Sequence, residues 1–104
     1  MLKNTKFHFV PIVNVDGSAL VEQGWIEDHK ILNKRKNMNP NNSGTCGEEN
    51  SGVDLNRNWG RDWAPANVKN KTELCGDFWP GDEAFSEPES RAMRDFIGAN
   101  RGEI

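Results

Sequence analysis

Chemistry can be read from side chains in close order at Gly52 to Trp59, the run GVDLNRNW, where Asn56 and Arg57 are adjacent. A guanidinium offers a planar fork of donors that fits a carboxylate or phosphate in bidentate fashion, and a neighbouring amide can donate to the same oxygens. Asp54 and Asn58 bracket the pair with short polar side chains of the kind that hydrogen-bond nearby backbone and fix turns. The pattern predicts a rigid loop that presents Asn56 and Arg57 to an anion.

Holding such a loop requires a scaffold, and 104 residues allow at most one small domain. A chain of that size buries only about two-thirds of its unfolded surface, so the core is small. Hydrophobic residues make up 35% and the mean hydropathy is -0.82, which predicts a loop-rich chain without arguing for disorder. A net charge of -3, from 13 basic and 16 acidic residues, supplies neither the basic footprint of a nucleic-acid binder nor a polybasic stretch for a membrane surface. No window approaches the ~18 consecutive apolar residues of a membrane span, and the opening MLKNTKFHF lacks the apolar run of a secretory signal.

Cys46 and Cys75 can form a disulfide or remain free thiols, and no CxxC or Cys/His spacing suggests a zinc ligand set. A bridge would close a loop of about 30 residues and stabilise the fold by roughly 3 to 4 kcal/mol in the chain-entropy description. Asn41-Asn42-Ser43 and Asn70-Lys71-Thr72 are glycosylation sequons, which matter only in a secreted chain.

Phe7 to Asn14 is dense in aromatic and β-branched residues on both alternations, which predicts a strand buried on both faces, with Pro11 at its end or on an edge. His8 within it reads as a packed residue. Asp16 is expected to cap a short helix through Ser18 to Trp25, with Leu20, Val21, Gly24 and Trp25 inward and Gly24 weakening its end. Glu27 to Asn50 has the Lys- and Asn-rich composition of a loop, and Lys34-Arg35-Lys36 reads by composition as a solvated face. The stretch NPNNSG lacks the carboxylates of a calcium loop. Phe78-Trp79-Pro80-Gly81 reads as a turn with an aromatic anchor. Ser86-x-x-Glu89 has the form of a capping box, followed by a helix to about Ala99 whose stripe of Ala92, Met93, Phe96 and Ile97 is expected in the core.

In this order, Asn14 to Gly17, Arg35-Lys36-Asn37, Cys46 with Cys75, GVDLNRNW and Phe85 to Glu89 resemble the zinc metallocarboxypeptidases of the carboxypeptidase A and B type. The resemblance covers essentially the whole chain. It implies an α/β fold, a mixed-sheet and helix sandwich of the zinc-carboxypeptidase type, to which residues 1–104 contribute an incomplete central segment of one catalytic domain. It implies that Asn56 and Arg57 bind the free carboxylate of a peptide C terminus. It moves Arg35 from solvated charge to catalytic residue, one that polarises the scissile carbonyl and stabilises the oxyanion. Cys46 and Cys75 match a family disulfide. Val15 departs from the usual Pro, and Lys34 and Met38 stand where Trp and Arg are common, which bears on the packing around Arg35.

The family's zinc ligands, a HxxE pair and a later His, and its general-base Glu have no counterpart here, since neither His8 nor His29 is followed by Glu at the third position. The segment is therefore expected to bind no zinc alone and to be inactive alone. The full-length parent is expected to be a secreted or lumenal monomer that removes C-terminal amino acids with zinc-activated water, acting on peptide C termini and not on nucleic acid or membrane. The alternative is a non-catalytic homologue that holds peptide C termini through Asn56 and Arg57.

Overall fold

A computed structural model describes residues 3–61, 63 and 74–101. The second sequon, Pro65 and residues 102–104 lie outside them. Among the described residues, three α-helices, α1 (Val15–Asp28), α2 (Ser43–Asn50) and α3 (Pro88–Ala99), alternate with 3-10 turns at Pro40–Asn42 and Leu55–Arg57. Among the described residues there is no strand.

The expected strand over Phe7 to Asn14 is therefore corrected. Its apolar side chains are uncovered, with Phe7 61% and Phe9 81% exposed. A strand needs ladder partners, and none of the described chain pairs with it. The sheet implied by the resemblance is not formed by the described residues. His8 does pack, its ring edge-on to Phe96 with centroids 5.4 Å apart.

Helix α1 starts earlier and runs further than its sequence signals indicate. The cap is Asn14 rather than Asp16: the Asn14 side chain accepts a hydrogen bond from the Gly17 amide at 3.1 Å and donates to the Lys36 carbonyl at 3.1 Å. Gly24 does not end the helix. A Cβ there would collide with Leu32, so the glycine admits the returning chain against α1, and His29 closes the helix in the left-handed region at φ 53°. Leu20 and Val21 are half-buried, whereas Trp25 is exposed.

The stretch assigned to a loop, Glu27 to Asn50, contains the end of α1, a 3-10 turn and α2. Pro40 opens the turn under an Asn39 cap whose side chain accepts from the Asn41 amide at 3.0 Å. Gly47, at φ 74°, interrupts α2. Past the interruption, the Lys34 ammonium donates to the carbonyls of Glu48, Glu49 and Ser51 at 3.1, 3.2 and 2.9 Å, satisfying the last turn. Lys34 thus has a structural use where the resemblance has Trp.

At α3 the capping box does not form. Pro88 occupies the first turn and Glu87 is the cap residue, with no side-chain cap bond. The helix is anchored through Ser90, its buried residue, while Phe96 and Ile97 are exposed. The apolar stripe expected in the core is uncovered within this chain.

Burial is correspondingly polar. Val53 is the buried hydrophobic residue among those described, and around it lie Lys36, Asn37, Ser51, Asp54, Asn58, Glu87 and Ser90. Such groups remain inside only if hydrogen-bonded. Asn58, fully buried, donates to the carbonyls of Pro80 at 2.8 Å and Glu83 at 3.1 Å, and accepts from the Ser90 hydroxyl at 2.6 Å and the Glu87 amide at 3.2 Å. The Glu87 carboxylate accepts from Asn37 at 2.7 Å, Asn39 at 2.9 Å and Ser86 at 2.7 Å. Asn58 and Glu87 thereby tie the GVDLNRNW loop, the Arg35 segment and α3 together.

Cys46 and Cys75 are joined, with Cα atoms 5.1 Å apart and a sequence separation of 29. The bridge fastens α2 to the chain that leads into Phe78 and Trp79. Replacing both cysteines with serine lowers the unfolding free energy of the full-length protein by about 3 to 4 kcal/mol, read from urea denaturation. An unchanged midpoint would mean that this loop is already constrained in the unfolded chain.

Candidate functional site

The site begins with a backbone clasp. Asn37 reaches Val53 from both sides, its amide donating to the Val53 carbonyl at 3.0 Å and its side-chain oxygen accepting from the Val53 amide at 2.9 Å. Gly52, at φ 95°, makes the close approach possible, because a Cβ would run into the Asn37 carbonyl. The clasp sets Arg35 opposite Asp54, residues 19 apart in sequence.

Asp54 is the hub. Its Oδ2 accepts from Arg35 Nε at 3.1 Å and Nη2 at 2.7 Å, and its Oδ1 accepts from the Asn56 amide at 3.0 Å as the cap of the Leu55–Arg57 turn. Its own amide donates to the Trp79 carbonyl at 2.8 Å, and its carbonyl accepts from the Arg57 amide at 2.9 Å. The Asp54 side chain is 3% exposed and that of Arg35 37%, so the carboxylate is inside while the guanidinium reaches the surface.

Asn56 and Arg57 are exposed, and among the described residues neither side chain has a hydrogen-bond or ion-pair partner. Their donors are unspent. Phe78 brings the cations together: the Arg35 and Arg57 guanidinium carbons lie 5.1 and 5.6 Å from the centroid of its ring. A cation over an aromatic face is attracted by the ring quadrupole, which restrains both long side chains. Phe78, 63% exposed, leaves part of its surface open beside them.

Lys36 is next to this arrangement but turned away from use as a surface charge. It is buried, and its ammonium donates to the Leu74 carbonyl at 3.2 Å. Burial lowers its pKa from the ordinary 10.5, the Lys34 charge adds to this, and Asp77 and Asp54 oppose it. Lys34 and Lys36 are engaged by backbone carbonyls, whereas Arg35 shares the Phe78 ring with Arg57.

The structure thus brings together Arg35, Asn56 and Arg57. The sequence did not indicate that Asp54 binds Arg35 or that Phe78 underlies both cations. Asp54 was legible as a turn residue, but pairing across 19 residues leaves no local signal. Among the described residues no group of three His, Cys, Asp or Glu side chains could bind a metal. Two cavities lined by described residues, of about 280 and 320 Å³, do not include Arg35, Asn56 or Arg57.

The sequence of this chain has relatives among known proteins. The family model for zinc carboxypeptidase matches residues 1–104. Human carboxypeptidase O is 33% identical over all of this chain, which spans 25% of that protein. Human mast cell carboxypeptidase A is 31% identical over all of the chain and 22% of its own length, and bovine carboxypeptidase B2 is 32% identical over 96% of the chain and 21% of its own length. The chain spans about a quarter of the length of the curated relatives it matches. With a family match across all of its residues, this chain belongs to the zinc carboxypeptidase family.

Proposed function

We propose that residues 1–104 form the substrate-recognition segment of a peptidase catalytic domain, and that the full-length protein removes the C-terminal amino acid of peptides. The observation that carries this is the convergence of Arg35 and Arg57 on Phe78, with the donors of Asn56 and Arg57 unspent. In a peptide, the terminal carboxylate carbon and the scissile carbonyl carbon are three bonds apart, about 3 to 4 Å. Two guanidiniums sharing one ring are suited to serve both groups.

Each residue then has a role. Arg57 forms a charge-assisted, fork-shaped pair with the terminal carboxylate, and Asn56 donates its amide to the same oxygens. Arg35 donates to the scissile carbonyl, and its contribution grows as negative charge develops on that oxygen. Zinc in the full-length protein would supply an activated water, held by residues other than those described here. The α/β sheet would likewise be completed by other parts of the parent domain, against the uncovered faces of residues 7–13 and α3. The disulfide supports a secreted or lumenal protein, since such bridges persist in oxidising compartments.

Arg57→Ala in the full-length protein tests the reading on paired substrates that end in a free carboxylate or an amide. The variant loses about 1.5 to 3 kcal/mol of transition-state binding, roughly 10- to 150-fold in kcat/KM, on the free acid only. Unchanged kcat/KM removes Arg57 from the site. Tight binding of the free acid without any cleavage identifies a non-catalytic homologue instead.

A further inference from the structure

We propose that Asp54 is a positioning residue for catalysis, which fixes the direction of Arg35 while separately holding the turn that carries Asn56 and Arg57. This rests on the reading of the site just given and extends it to a residue that touches no substrate. The division is visible atom by atom. Oδ2 takes both Arg35 bonds, to Nε and Nη2, whereas Oδ1 takes the Asn56 amide.

The geometry explains why one carboxylate has both tasks. An exposed arginine samples many rotamers, and ordering it at the moment of reaction would cost side-chain entropy. Two bonds to one fixed oxygen remove rotation of the guanidinium, and Phe78 limits its remaining movement from the ring side. Nη1 has no partner among the described residues and remains available as a donor. Asp54 is itself held by its backbone bonds to Trp79 and Arg57 and is almost completely buried, so it provides a reference point that water does not disturb. A donor aimed in advance at a developing oxyanion contributes far more than one that must be reoriented.

Separate oxygens make the two tasks separable by mutation. Asp54→Asn keeps an oxygen for the Asn56 amide, and Asp54→Ser keeps an N-cap hydroxyl for the turn. Both remove the charged acceptor from Arg35. In the full-length enzyme each variant is expected to lower kcat by about 10- to 100-fold, the scale of a slightly misplaced catalytic group, with KM changed less than about threefold. In an Arg35→Ala background the same changes are expected to lower kcat by less than about twofold, because the group through which Asp54 acts is already gone.

The outcomes separate cleanly. Wild-type kcat in a folded Asp54→Asn or Asp54→Ser protein overturns the proposal, as does a full second loss in the Arg35→Ala background, which marks a merely structural role. Failure of both variants to fold, judged by thermal unfolding, overturns it for the same reason. Wild-type kcat in Arg35→Ala alone overturns the reading of the site itself, and the positioning role with it.

Discussion

Arg35→Ala is expected, on the proposed function, to lower kcat of the full-length protein by about 100- to 1,000-fold, the effect of deleting one strong donor to a developing oxyanion. KM changes much less, because the carbonyl oxygen of the bound substrate carries little charge until attack begins. The geometry sets this expectation. Arg35 is bound to Asp54 at 2.7 Å and lies over Phe78, so it is aimed before substrate arrives. Arg35→Lys restores only part of the rate, since an ammonium keeps the charge but lacks the fork that meets Asp54 through two nitrogens. Steady-state kinetics on one free-acid peptide decide it: a pure KM effect places Arg35 in ground-state binding and removes it from oxyanion stabilisation.

Asn58→Ala lowers the unfolding free energy by about 3 to 5 kcal/mol, the largest stability effect expected in this segment. Asn58 is fully buried and its side chain meets Pro80, Glu83, Ser86, Glu87 and Ser90. Truncation leaves several of those groups inside without partners, and each loses its hydrogen bond without regaining water. Asn58→Asp tests whether the amide donors matter rather than the volume, because a carboxylate cannot donate to the Pro80 and Glu83 carbonyls. It is expected to be no better than alanine. Chemical denaturation of the full-length protein reads both, and a loss under about 1 kcal/mol for Asn58→Ala would mean that water enters and satisfies the network.

The contrast between these residues shows what was legible. Asn56 and Arg57 announce themselves, because adjacent anion-binding side chains flanked by turn formers have a chemistry independent of the surrounding fold. Local signals misled where they had to be weighed against distant partners. Ser86-x-x-Glu89 has the spacing of a capping box, yet Ser86 donates to Glu87, and Glu87 is drawn inward by Asn37 and Asn39. Gly24 lowers helix propensity, yet α1 continues past it to Asp28, and the missing Cβ leaves room for Leu32. The strand pattern of residues 7–14 and the stripe of α3 encode burial correctly in kind, but a ladder or a cover must come from chain that is not adjacent in sequence.

By itself, the sequence of this protein determined its family and, through its resemblance, the disulfide, and it singled out Asn56 and Arg57 as a candidate anion-binding pair and Arg35 as a candidate catalytic residue. These depend on residue type and order along the chain. Only the tertiary structure decided that Asp54 holds Arg35, that Phe78 lies beneath both guanidiniums, and that the core of this segment is a hydrogen-bonded polar network around Asn58 and Glu87. The physical reason is directional. Charge and apolarity belong to a residue wherever it lies, but a hydrogen bond or an aimed guanidinium exists only when distant backbone fixes both partners within about 3 Å.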